Sequence, residues 1–167
     1  MFNRAKEGLG MNIMCSQDKD ADRVQYLRTV FDTMPLPAFI VDEDVRIHDF
    51  NSAAVEFLGP NPALALYRRG GEAFHCIHAG VNNCGGAEAC KDCVIRNSVI
   101  KAMSGKATCR EIHKAELRTR HGTTNIDLLI TTSLLPYTDT PQALVILEDV
   151  SGTIRPGRPR TAESARA

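Results

Sequence analysis

The chain has 167 residues, enough for one well-cored domain with short tails. Hydrophobic residues make up 43% and charged residues 24%, and the formal net charge is zero. This composition describes an ordinary globular protein and supplies no basic field for nucleic acid. With 5% aromatic residues and no Trp, base-stacking platforms are excluded as well. No apolar run reaches the length of a membrane span and the start lacks a signal-type core, so a cytoplasmic location is expected. Disulfides rarely persist there, which bears on the six cysteines.

Residues 1–21 show no sustained period and read as a flexible leader, with Met1 or Met11 as the start and Cys15 as an incidental thiol. From Asp20 to Met34, Val24, Leu27, Phe31 and Met34 recur at spacings of three and four, the stripe of an amphipathic helix. Asp20 or Asp22 can cap it, and Pro35 and Pro37 end it. The stripe either covers its own domain or pairs with a second copy, and a homodimer through helix 22–34 is the expectation adopted. Ala38–Val41 and Val45–Phe50 read as strands joined by the acidic turn Asp42–Asp44. Asn51 or Ser52 then caps a short helix from Ala53 to Leu58, closed by Gly59 and Pro60.

The chain's most specific signal follows. Cys76, Cys84, Cys90 and Cys93 form a C-x7-C-x5-C-x2-C pattern, with Gly80, Gly85 and Gly86 letting the backbone turn between them. Cys90 and Cys93 make a two-residue knuckle whose sulfurs can reach one ion. Four thiolates in so short a segment suit a tetrahedral zinc or an iron–sulfur cluster. Paired disulfides or unrelated core thiols are the plain alternatives. His75 and His78 are possible substitute ligands, with a supporting, packing or surface role as the simpler reading.

A second helix is expected past Cys93, with Ile95, Val99, Ala102 and Met103 on one face and Gly105 at its end. If it reaches back to Cys90, both knuckle sulfurs point away from that face, and the helix start favours their thiolates. Residues 109–120 alternate weakly, Cys109 among them, and turn at His121 and Gly122. Ile126, Leu128, Ile130, Thr132 and Leu134 then alternate with Asp127, Thr131 and Ser133 as a half-buried strand. Leu129 breaks that rule and is expected on the outer face, where a partner would meet it. After a turn at residues 137–141, Ala143–Leu147 is continuously apolar and reads as the central strand. Residues 152–167, with four Arg to one Glu, read as a disordered tail.

Three stretches carry a family resemblance. Met34–Asp42 resembles the opening strand of a PAS domain, Asn51–Gly59 its N-x-A…G helix, and Ala143–Ser151 its closing strand. Together they frame residues 22–151. The resemblance implies an α+β fold, a five-stranded antiparallel sheet with helices on one face, preceded here by the N-terminal amphipathic helix. It also implies a non-catalytic sensor in signal transduction, and the cysteine segment is similar to one in some bacterial PAS-containing signalling proteins. Flavin is not expected, because Asn83-Cys84 runs into two glycines where a light-sensing PAS domain has Asn-Cys-Arg-Phe. Haem is not expected either, because residues 94–104 contain no axial His. No kinase, cyclase or DNA-binding pattern follows Ser151, so the output would pass through a partner such as a kinase or a transcription regulator.

Three functions compete. The first is a stand-alone sensor whose cysteine centre responds to redox state, oxygen or metal supply. The second is a PAS-fold interaction module with a structural zinc. The third, a thiol–disulfide enzyme using Cys90 and Cys93, is opposed because such pairs normally open a helix in a βαβ setting. Unequal gaps of seven and five suit a wrapped cluster more than zinc's paired knuckles, which leans the cofactor toward iron–sulfur.

Overall fold

The computed structural model describes residues 10–80, 83–136 and 140–152. The expectations for residues 1–9, for most of the 137–141 turn and for the tail past Gly152 lie outside the described residues.

Five strands form one antiparallel sheet: β1 (Ala38–Val41), β2 (Ile47–Phe50), β3 (Thr108–Thr119), β4 (Gly122–Leu135) and β5 (Gln142–Asp149), in the order β2-β1-β5-β4-β3. The last strand in sequence is thus the central one in space. Its continuous apolar run explains why. Ala143, Val145 and Leu147 face the core, while Leu144 and Ile146 are half-buried on the other face. Helices cover the inner face. α2 (Ser52–Leu58) contributes Ala54 and Leu58, and α4 (Val94–Met103) contributes Val99 and Ala102. These pack with Phe39, Ile47, Leu128, Ile130 and Leu147, each at most 1% exposed. This is the α+β arrangement read from the sequence.

Asn51 ties three elements together. Its Oδ1 accepts from the Ala54 N–H (3.1 Å), capping α2, and from the Ala38 N–H (3.0 Å) at the start of β1. Its Nδ2 donates to the Leu36 carbonyl at 2.9 Å. Gly59 closes α2 at φ 83°, which glycine adopts without strain.

Several boundaries differ from the sequence reading. The first helix, α1, runs from Gly10 to Thr33, so residues 10–21 are helical where a loose leader was expected. Those residues carry helix-tolerant side chains without an apolar stripe, so periodicity alone passes over them. β2 starts at Ile47 because Val45 sits at φ 62° in a turn. There the Asp42 side chain accepts from the N–H groups of Asp44 and Arg46. α4 starts at Val94, after a 3₁₀ turn over Glu88–Asp92, and does not reach back to Cys90. Leu129 does face away from the core, beside Ile112, although it is itself buried.

Among the described residues, α1 packs against α2 and is tied to β2 through Arg28. Arg28 holds it there, paired with Asp49 at 2.7 Å and Asp32 at 2.8 Å and donating to the Phe50 carbonyl at 3.1 Å. Phe31 and Met34 are half-buried, whereas Val24 and Leu27 are 68% and 55% exposed. The stripe therefore does not cover its own domain.

Candidate metal centre

The cysteine segment hangs between two fixed points. At its start α3 (Gly70–Ala73) is bound to the β1–β2 turn by Gly70 N–H to the Val45 carbonyl, 2.9 Å. Phe74 drives into the core, its ring edge-on to Phe39 and Phe57 at 5.1 Å each. His75 then reverses the chain at φ 55°. Cys76 bridges Leu117 of β3 in antiparallel fashion, and Arg118 N–H donates to the His75 carbonyl at 2.8 Å. The segment thereby adds one rung to the edge of the sheet. At its far end Cys93 is the N-cap residue of α4.

Between these points polar groups hold the loop. Arg69 Nη1 donates to the Cys84 carbonyl at 2.9 Å, and the Cys84 N–H donates to Glu72 Oε1 at 3.4 Å. Asp44 accepts from Arg69 at 3.3 Å. Gly71 leaves room that no other residue would: a Cβ there would lie 2.8 Å from Cys84 Sγ and 3.5 Å from Cys76 Cβ. Glycine is thus required at position 71 for the thiol to sit where it does.

The four cysteines line one cavity of about 200 Å³ between this loop, the start of α4 and the inner face of β3. All four are free thiols of intermediate exposure. Burial pushes the Cys84 thiol up, opposed by the Gly71 N–H and reinforced by the other three sulfurs. Burial likewise raises Cys93, against the pull of the Arg96 and Ile95 N–H groups at the helix start. A cation entering this cavity would therefore displace protons. Among the described residues, no three Cys, His or acidic side chains already stand at ligand spacing. The loop would have to draw in around an ion.

His78 lines the same cavity, whereas His75 faces the groove on the loop's other side, beside Leu58 and Glu72. Two further wall residues escaped the sequence reading, His113 and Arg96. Burial, then the nearby His78, lowers the His113 pKa, which favours the neutral ring. The β3 alternation could have found His113, because it shares a face with Ala115 and Leu117. Cys15 falls in α1 and Cys109 in β3.

An antiparallel sheet in this order, with helices on one face and a cavity beneath them, is an α+β architecture. Residues 25–92 match the family model of the PAS domain, and the fold is PAS-like. That match includes Cys76, Cys84 and Cys90 and stops one residue short of Cys93. No curated protein matches the sequence. Among solved structures the chain is similar to the PAS domain of an HTR-like protein from Haloarcula marismortui. That pair shares 16% identity over 81% of this chain and 98% of the other, with a TM-score of 0.54. It is also similar to the PAS domain of nitrogen regulation protein NR(II) from Vibrio parahaemolyticus, at 13% identity over 73% and 95%, TM-score 0.51. The Vibrio cholerae VqmA dimer is similar at 12% identity over 77% and 52%, TM-score 0.51. At such identities the likeness is one of fold.

Proposed function

We propose that this PAS domain is a sensory module in signal transduction whose Cys76, Cys84, Cys90 and Cys93 hold a metal centre, an iron–sulfur cluster in preference to zinc. One observation carries the reading: four free thiols from separate turns line a single cavity against the inner face of the sheet. The unequal gaps between the cysteines favour a cluster over a lone ion. Such a centre would respond to redox state, oxygen or metal supply.

A structural zinc is the second reading. The Cys76–Leu117 bridge favours it, because a staple on the edge of the sheet needs no change of state to be useful. Zinc bound to peptide sites stabilises by about 10–16 kcal/mol at pH 7. An ultraviolet–visible spectrum with metal analysis of anaerobically purified protein separates the two. Brown protein with iron and sulfide supports the cluster, and colourless protein with one zinc supports the staple. Protein free of either metal, and taking up none, sinks both.

The output would pass through protein contacts, with a kinase or a transcription regulator as the class of partner, in a cytoplasmic setting. A similar fold occurs in a PAS domain from a two-component sensor histidine kinase. The unpaired stripe on α1, with Leu27 at 55% exposure, supports self-association through that helix. Leu27→Glu puts a charge in the seam. Sedimentation should give a dimer for the wild type and a folded monomer for the variant. A monomeric wild type at tens of micromolar would remove the dimer.

A further inference from the structure

We propose that Arg96 is the cationic partner of the cysteine centre, a positioning residue whose guanidinium donates to a metal-bound thiolate or sulfide. The inference rests on the metal-centre reading above. Arg96 is on the first turn of α4 and lines the cavity that the four cysteines line. Its Nη1 is buried and has no hydrogen-bond partner among the described residues. It lies against Gly85, where a Cβ would come within 3.0 Å of it. A side chain at 85 would therefore press directly on the guanidinium.

The rest of the charge pattern fits an absent anion. Asp44 is the carboxylate within reach: its Oδ2 is 3.3 Å from Arg69 Nη2, and its Oδ1 is 4.0 Å from Arg96 Nη2. Arg46 Nε is also 4.0 Å from Asp44 Oδ2, so one carboxylate serves three guanidiniums and positive charge is in excess around Asp44. Arg69 also has a buried, unpartnered nitrogen, Nε, but it is not on the cavity wall and spends Nη1 on the Cys84 carbonyl. Lys114, the other cation on the wall, is exposed and keeps its hydration. Arg96 alone on this wall has a dehydrated donor with nothing to meet. Four cysteine thiolates around a divalent ion carry two negative charges, and a cluster held by four cysteines is also anionic, so either supplies the missing acceptor.

This assignment predicts opposite effects in the empty and the loaded protein. Replacing a buried donor that lacks an acceptor by an apolar side chain is neutral or stabilising. Arg96→Met should therefore leave the melting temperature of the metal-free chain unchanged or raised. The same substitution should weaken cobalt(II) binding to the reduced full chain by about 10- to 100-fold, the usual loss when a ligand's supporting partner goes. Arg96→Lys, which keeps a compact cation, should recover most of that affinity.

A purely structural arginine predicts the reverse: a lower melting temperature in the metal-free variant and no rescue by lysine. That result overturns the proposal. Cobalt affinity within twofold of wild type in Arg96→Met also overturns it while leaving the metal centre intact. A wild type that binds no cobalt, with no metal as purified, overturns the metal centre itself and this inference with it.

Discussion

The sheet and the cysteine loop are held by different physics. In the sheet, long antiparallel ladders and a continuous apolar inner face support one another, and Ile130 and Leu147 are essentially removed from water. In the loop from His75 to Cys93, none of the four cysteines is buried outright, and the backbone is pinned at a few separate points. Positive φ at His75, Asn83 and Gly85 turns it repeatedly, and its short turns make few ladder bonds. One region determines its own shape. The other keeps half-buried thiols and, among the described residues, a buried arginine nitrogen without an acceptor.

Substitutions in the two regions should therefore separate global stability from occupancy of the site. The largest effect belongs to the sheet. Ile130→Ala empties a fully buried core position on β4, at a cost of about 2–5 kcal/mol in chemical denaturation. Metal affinity per folded molecule should hardly change. Loss of metal at full retention of fold would mean that the sheet does not stand apart from the loop.

Asn51→Ala comes next. It removes the cap of α2 and leaves the buried Ala38 N–H without its acceptor. A lost cap and an unsatisfied buried donor together cost about 2–3 kcal/mol. Asn51→Asp keeps the accepting oxygen but cannot donate to the Leu36 carbonyl, so denaturation should place it between alanine and wild type. Equal stability of all three proteins would remove Asn51 from the framework that positions β1.

The same division explains how much the sequence disclosed. Strands β4 and β5 were legible because burial on one or both faces writes itself into alternation and apolar runs. The helix capped by Asn51 was legible through its cap and its closing glycine. The loop's four cysteines stand out by their spacing, but the side chains that support the loop do not. Arg69, Glu72 and Arg96 act through side-chain contacts that follow no period, and His113 lines the cavity from twenty residues past Cys93 in sequence. The early start of α1 was silent for a related reason. Residues 10–21 carry no apolar stripe for periodicity to read.

The smallest effect on stability should come from Gly71→Ala, and it is the sharpest test of the loop. Gly71 lies in α3 without a positive φ, so alanine fits the backbone, and in a helix it is favoured over glycine. The new methyl group has one serious collision, with Cys84 Sγ at 2.8 Å and Cys84 Cβ at 3.2 Å. Gly70, its neighbour, is the contrast: a Cβ there meets the Phe74 ring at 3.3 Å, so Gly70→Ala presses on the core instead of the site. Gly71→Ala should melt within about 1 kcal/mol of wild type, since the helix gain offsets local crowding. Its cost should appear at Cys84. The half-buried thiol is pushed outward, so a thiol-alkylating reagent should label it faster in the metal-free chain, with Cys93 unchanged as the internal control. Metal content after purification should fall in the same variant. Wild-type labelling of Cys84 together with wild-type metal content would show that the thiol does not sit against Gly71, and the cavity as drawn would not be the site.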